Sequence, residues 1–381
     1  MNIIIAPDSF KDCLSAREVA SSISRGIGRV CPAANIVEIP LSDGGEGLIN
    51  ALLGSIDGKL CSAPVKDPLG RSITAEFGIF GKDGTAIIEL ARASGLELLH
   101  GHERNPLLTS TYGTGQLIKA ALDQGCNKII VGLGGSATND GGTGMLKALG
   151  ARFVNKKGTE ILEGGGGLAD LYQIDLAHFD ARLAYCEVLV ACDVTNPLTG
   201  PQGASFVYGP QKGGDRVTLE QLDRNLEHYG KVIREQCHMD MADRKGAGAA
   251  GGTGAALMAF MNGKMVNGID LVLQMVGMER YLDDADLLIT GEGRIDRQTL
   301  SGKTVMGIAA MAKNKGVPVI VLTGKAEEQI EEIYDRGVVA VFPIVDGPME
   351  LEEAFKRAPE LLERTAMNVM GAIRALKIEH N

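Results

Sequence analysis

Residues 132 to 150 read GLGGSATNDGGTGMLKALG, a loop equipped to hold an anion. It follows the apolar, β-branched run NKIIV (127–131) and leads into a helix-like pattern at Met145, Leu146 and Leu149. A plain connection between a strand and a helix takes about two to six residues. This one is longer, and it is rich in main-chain N–H groups and short hydroxyls. Successive amides at a helix N-terminus, helped by the helix dipole, suit a phosphate. In that reading Gly134, Gly135, Gly141 and Gly142 supply amides, while Ser136, Thr138 and Asn139 add side-chain donors. Asp140 then holds Mg²⁺ or orients a hydroxyl. The alternative is a glycine-lined crossing of packed elements.

Five further loops carry chemistry. CDVTNPLTGPQGAS (192–205) leaves a strand with Asp193 and Asn196 at its carboxyl end, where a carboxylate serves as metal ligand or general base. An Asx turn ahead of Pro197 competes with that reading. YGPQKG (208–213) offers Lys212 to a phosphate or, equally, to solvent. APDSFKD contributes Asp8, Ser9 and Lys11; SDGGEG contributes Asp43 and Glu46; TGEGRIDRQT contributes Glu292, Arg294 and Asp296. An arginine among carboxylates suits a carboxylic acid or a phosphate, although a local ion pair also explains it. Amide cradles, cations and carboxylates are the parts of phosphoryl transfer, which works by positioning, Mg²⁺ and charge neutralisation.

Two motifs mislead. Gly302-Lys303-Thr304 ends like a phosphate-binding P-loop, but position 297, where that pattern needs glycine, is arginine; a helix start is expected instead. GAGAAG (246–251) matches a dinucleotide fingerprint formally, yet polar HMDMADRK precedes it rather than a strand, so a tightly packed Gly/Ala helix is expected. The histidines avoid all these loops, and no serine or cysteine nucleophile is set beside one.

The elements that must position these groups follow from short apolar runs. NIIIA (2–6), IVEIP (36–40), DLLIT (286–290), VPVIVLT (317–323) and VVAVFPI (338–344) read as strands. Helical stretches separate them at 16–30, 304–315 and 327–336, and 349–377 closes the chain with Pro359 and Gly371 as breaks. Apolar strands alternating with helices indicate a parallel sheet covered on both faces. The fold expected is α/β: a discontinuous, flavodoxin-like, doubly wound domain (1–59 and 283–381) with strand order 2-1-3-4-5. A second α/β domain (60–282) is inserted into it. The topological switch point then lies between the first and third strands, where ligands bind beyond the carboxyl ends. The loops bearing Asp8, Asp43 and Glu292 follow the first three strands.

Bulk properties describe a soluble globular protein. At 381 residues two domains are the default. A formal charge of −10 disfavours nucleic acid and anionic membranes as partners. No apolar window reaches membrane-spanning length, and the start lacks a signal-peptide pattern, so a cytoplasmic home is expected. The seven cysteines lack metal or disulfide spacing, and most are expected as small buried hydrophobes. Glycine is the anomaly: 51 residues, against roughly 7 % in an average protein, suggest a site built largely from main chain.

The blocks APDSFKDCLSA, SDGGEG, GLGGSATNDGGTGMLKALGA, CDVTNPLTGPQGAS, YGPQKG, GAGAAGGTGAAL and ITGEGRIDRQTLSGKT, in this order, resemble the type-1 glycerate kinase family over essentially the whole chain. The resemblance implies ATP- and Mg²⁺-dependent phosphorylation of D-glycerate in glyoxylate and sugar-acid catabolism, with 2-phosphoglycerate favoured over 3-phosphoglycerate. It also implies an active site in the cleft between two α/β domains, and it leaves a homo-oligomer open. With it, the 134–142 loop is expected to hold phosphates. Asp193, with Asp140 as competitor, would act as base or metal ligand. Lys11 and Arg294 would neutralise the acid or the transferring phosphoryl group. One departure stands out: Asp12-Cys13 replace the Gly-Ser usual in the first block.

Overall fold

Ile3, Ile4 and Ile5 leave no polar face between them, so the strand they form, Asn2–Ile5, needs cover on both faces and a partner on each edge. It has them. The strand sits inside a five-stranded sheet in the order Asn35–Glu38, Asn2–Ile5, Leu287–Ile295, Val319–Ala326, Val338–Pro343, every pair parallel. The computed structural model describes residues 1–378 apart from Glu46, Gln298, Gly302, Lys303 and Gln329.

One face of this sheet is covered by Ala16–Val30, whose Val19, Ala20, Ile23 and Ile27 are all buried at helical spacing. Ser15 caps that helix, with its side chain and Glu18 satisfying each other's backbone amides. The long final helix, Leu351–Ile378, packs against it through Leu361, Leu362 and Ala366. The two approach closely at Gly26, where an added Cβ would stand 2.1 Å from the Glu363 carbonyl.

Three expectations about this region are corrected. The final helix runs unbroken through Pro359 and Gly371. The stretch 327–336 contributes only one turn, Glu332–Asp335. The run DLLIT does not end in a loop: pairing with Val319–Ala326 carries the strand on to Ile295, so Glu292 and Arg294 are strand residues on one face.

The chain divides into two compact units. The first comprises Met1–Asp43, Asn50–Ile56 and Ile269–Asn381; the second comprises Gly44–Ile49 and Asp57–Gly268. Residues 269–282, expected in the insertion, cluster with the first unit, where Ile269 lies against Gly307.

The second unit has a six-stranded sheet, Lys264–Val266, Glu187–Ala191, Lys128–Gly132, Thr85–Glu89, Ser72–Phe80, Gly58–Lys66. The first four strands are mutually parallel, and the last two form antiparallel hairpins. The segment Ala249–Met261 is not the plain helix expected of a Gly/Ala-rich run. Ala250, Gly251 and Gly252 are left-handed, and the backbone passes so close to Thr138 that only glycine fits at 251. Of the seven free cysteines only Cys126 is buried; the other six are half-exposed. No helix among the described residues is long and apolar enough to cross a membrane.

Candidate active site

In the second unit, three parallel strands end side by side and release three loops. The register pairs Gly132 with Ala191 and Ala191 with Val266. Gly134, Asp193 and Gly268 therefore each stand two residues past the last paired position. Asp193 is exposed and accepts the Gly268 amide on Oδ1 at 2.9 Å. Asn196, expected beside it as a substrate ligand, is turned into its own loop: its amide donates to Gln202 O, and its oxygen accepts from the Tyr208 hydroxyl.

The glycine loop is two structures in one. Its rim, Gly134 and Gly135, faces outward, and Gly135 is exposed. No hydrogen bond among the described residues engages the Gly134, Gly135 or Ser136 amides. The remainder is buried and committed internally. Asp140 is fully buried and accepts from Thr111 N, Thr111 Oγ1 and Gly144 N on one oxygen, and from Gly142 N on the other. Gly141 N donates to Gly251 O. Asn139 donates to Ser205 Oγ.

These contacts correct the expectation for residues 139–142. The helix that begins here, Thr143–Ala148, turns its first amides onto a carboxylate of its own chain rather than onto a ligand. Asp140 is not placed as a base or metal ligand, because its oxygens are occupied by four donors and water is excluded. Burial raises its carboxyl above the ordinary range, against the pull of those hydrogen bonds.

Lys212 is also interior. Only 1 % of it is exposed, and its Nζ donates to Ser136 Oγ at 2.8 Å and to Thr138 O at 2.6 Å. Burial pushes its ammonium down to about 7, opposed by the nearby charge of Asp140. Gly213, left-handed at φ 92°, ends the short turn Pro210–Lys212 that delivers it.

In the first unit, acidic and hydroxyl side chains gather past the carboxyl ends of the strands. Asp8 follows the first strand and Asp43 the second. Burial, then the Asp43 charge, raises the Asp8 carboxyl to about 6, although it accepts from Ser9 N, Ser9 Oγ and Thr304 Oγ1. On the third strand Glu292 accepts the Thr299 hydroxyl at 2.6 Å, while Asp296 N donates to Thr299 Oγ1 and Thr299 N to Asp296 Oδ1. Arg294, 58 % exposed, is paired with Glu327 and stands 3.7 Å from Asp296. Lys11 is exposed. Glu46 lies outside the described residues, as do Gly302 and Lys303.

Sequence reasoning missed Thr304, Thr299, Thr111 and Ser205. Thr304 does open a helix, Thr304–Asn314, and its buried hydroxyl serves Asp8. Ser205 and Thr299 close loops already marked by their glycines and carboxylates, whereas nothing in the local pattern of Thr111 separates it from an ordinary surface residue.

Mg²⁺ takes one or two carboxylates and completes its shell with water and substrate oxygens. Among the described residues no group of three or more His, Cys, Asp or Glu is placed to hold a metal ion. Asp193 and the Asp8–Asp43 pair have the oxygen chemistry for this role, while Asp140 does not.

The pattern of the glycerate kinase family matches residues 3–374. A glycerate kinase of Bacillus subtilis (strain 168) is 48 % identical over 377 residues, covering 99 % of both chains. A glycerate 2-kinase of Escherichia coli (strain K12) is 46 % identical over 373 residues, covering 98 % of both. A crystal structure from Salmonella typhimurium LT2, assigned to a glycerate kinase 2, superposes with a TM-score of 0.89 at 46 % identity and 99 % coverage of both chains.

Proposed function

The chain belongs to the glycerate kinase family, kinases that phosphorylate an alcohol group, and from that premise we propose that it transfers the γ-phosphoryl group of ATP to the 2-hydroxyl of D-glycerate. The choice of hydroxyl follows the Escherichia coli relative called a glycerate 2-kinase. The product is then 2-phosphoglycerate, and the reaction serves glyoxylate and sugar-acid breakdown in the cytoplasm.

One observation carries the assignment of roles: exposed Asp193 and the outward Gly134–Gly135 amides leave adjacent strands in register. A carboxylate there accepts the proton of a substrate hydroxyl, and amides beside it hold the phosphoryl oxygens. Asp193, already oriented by the Gly268 amide, is the base. Gly134, Gly135 and Ser136 bind phosphate through main chain. Lys11 and Arg294, both exposed, neutralise the glycerate carboxylate or the phosphoryl charge. Asp8 with Asp43, or Asp193, would hold Mg²⁺, which would offset the charge of the phosphates.

The test is direct. The protein is mixed with ATP, Mg²⁺ and D-glycerate, ADP is followed, and the product is read by phosphorus NMR. Stoichiometric ADP and 2-phosphoglycerate are expected. Absence of ADP rejects the activity, and 3-phosphoglycerate rejects the regiochemistry.

A further inference from the structure

Lys212 is an unusual lysine. It sits on a turn between two glycines, a setting that suggests a mobile phosphate ligand, yet it is almost wholly buried. Its two hydrogen bonds reach the near half of the glycine loop, at Ser136 and Thr138. The far half is gripped by the buried carboxylate of Asp140. Two interior charges of opposite sign thus fasten the loop, Lys212 at Ser136 and Thr138 and Asp140 at its far end. Two side-chain atoms of the middle stretch, Thr138 Oγ1 and Asn139 Oδ1, are buried without a hydrogen-bond partner among the described residues. Apart from the Asn139–Ser205 hydrogen bond, that stretch is held by Lys212 at Thr138 and by the contacts of Asp140.

We propose that Lys212 is a positioning residue, not a phosphate ligand: from inside the fold it fixes Ser136 and Thr138, so that the Gly134 and Gly135 amides face outward in a fixed array for the nucleotide phosphates. The proposal rests on the kinase reading above and assigns the loop's geometry to a residue that reading leaves idle. The Ser136 hydroxyl and the Thr138 carbonyl take two of the three N–H donors of the Lys212 ammonium and tie it to the loop as a support. A preset array of amides binds an anion without first being ordered, which is where affinity is gained.

Accessibility tests this without any substitution. The native protein is treated with acetic anhydride, with and without ATP, and lysine acetylation is read by peptide mass spectrometry. Exposed Lys11 should react in the free protein, while Lys212 should stay unmodified in both samples. Acetylation of Lys212 in the absence of ATP, whether or not ATP then protects it, overturns the proposal.

Affinity gives the second readout. ATP dissociation constants are measured by calorimetry for the unaltered protein, Ser136→Ala, Lys212→Met and the double variant. Each single change should weaken ATP binding roughly tenfold, the scale of one charge-assisted hydrogen bond. The double variant should be no weaker than Lys212→Met alone, because the serine then has nothing left to anchor it. Independent, multiplying losses, or unchanged affinity in Ser136→Ala, sink the idea. If Lys212→Met does not fold, the labelling experiment and Ser136→Ala decide. An unaltered protein that fails to bind ATP defeats the kinase reading, whereas the labelling result judges Lys212 separately.

Discussion

The thiol of Cys13 points at the carbonyl of Phe355 from 3.5 Å, and Phe355 lies four residues before Pro359. In an uninterrupted helix the residue at 359 would donate its amide to that same carbonyl, but proline has no N–H to give. Cys13 supplies a substitute donor from a distant part of the chain, so the helix passes through its proline with that acceptor satisfied.

A double-mutant cycle examines this arrangement. Cys13→Ala should cost about 0.5–1 kcal/mol, the scale of a weak sulfhydryl hydrogen bond. Cys13→Ser, which keeps a donor, should be near neutral. Pro359→Ala restores the helical N–H, so it should raise stability, and Cys13→Ala should cost measurably less in that background. Urea unfolding midpoints of these proteins give the coupling directly.

The Asp8 carboxyl, raised to about 6 by burial and by Asp43, sets a pH dependence. Its folded pKa lies above its unfolded one, so the native state binds the extra proton between about pH 4 and 6. The sign follows: this group favours the fold at the acid end of that window and opposes it above pH 6. Asp8→Asn should therefore unfold less readily at pH 8 than the unaltered protein, with little difference at pH 4. If ionised Asp8 is needed for turnover, kcat/KM should fall below pH 6. Asp43→Asn should then move that limb to lower pH, since the charge that raises Asp8 is gone. A pH–rate profile of both proteins checks the direction.

Two aspartates that look alike in sequence should fail in opposite ways. Asp193→Asn keeps an Oδ1 for the Gly268 amide, so thermal stability should hardly change while kcat drops 10²–10⁴-fold, the usual worth of a general base. Asp140→Asn sets an NH₂ group against donors and removes the charge facing Lys212. It should lose roughly 3–5 kcal/mol of stability, as broken buried charge pairs do. Calorimetric melting alongside steady-state kinetics separates the two.

At Gly251, left-handed at φ 66°, a Cβ would stand 2.1 Å from Thr138 O. Gly251→Ala should destabilise by about 3 kcal/mol or more and weaken ATP binding, because relief comes only by pushing the Thr138 backbone. Gly125→Ala is the comparison: that site is also left-handed but open, so only its strain should appear, about 1 kcal/mol.

What the sequence disclosed, and what it hid, follows from where each signal originates. Ile3–Ile5 and Val319–Leu322 announce buried parallel strands because burial on both faces demands apolar side chains throughout. The continuation of a strand through Glu292 and Arg294 was invisible, since backbone pairing with Val319–Ala326 maintains it whatever the side chains are. Asp140 and Asp193 each sit in glycine- or proline-rich loops after apolar strands, and their neighbours in sequence do not distinguish them. The difference lies with Thr111, which closes over Asp140 from 29 residues away. Lys212 is the same case: Gly/Pro punctuation reads as an exposed turn, whereas the partners that bury it are 74 and 76 residues distant.

Strand Asn2–Ile5 leaves the ribosome long before Leu287–Ile295, one of its two lateral partners. The Thr290 hydroxyl that caps Ala6 is 284 residues downstream. At about 5–20 residues per second, synthesis leaves that edge waiting for tens of seconds. Meanwhile Asp57–Gly268, nearly the whole of one compact unit, has emerged. The split unit, begun before Asp57, is completed only after Gly268, so the unpartnered edge of Asn2–Ile5 lies open to chaperone capture or proteolysis while the other unit emerges.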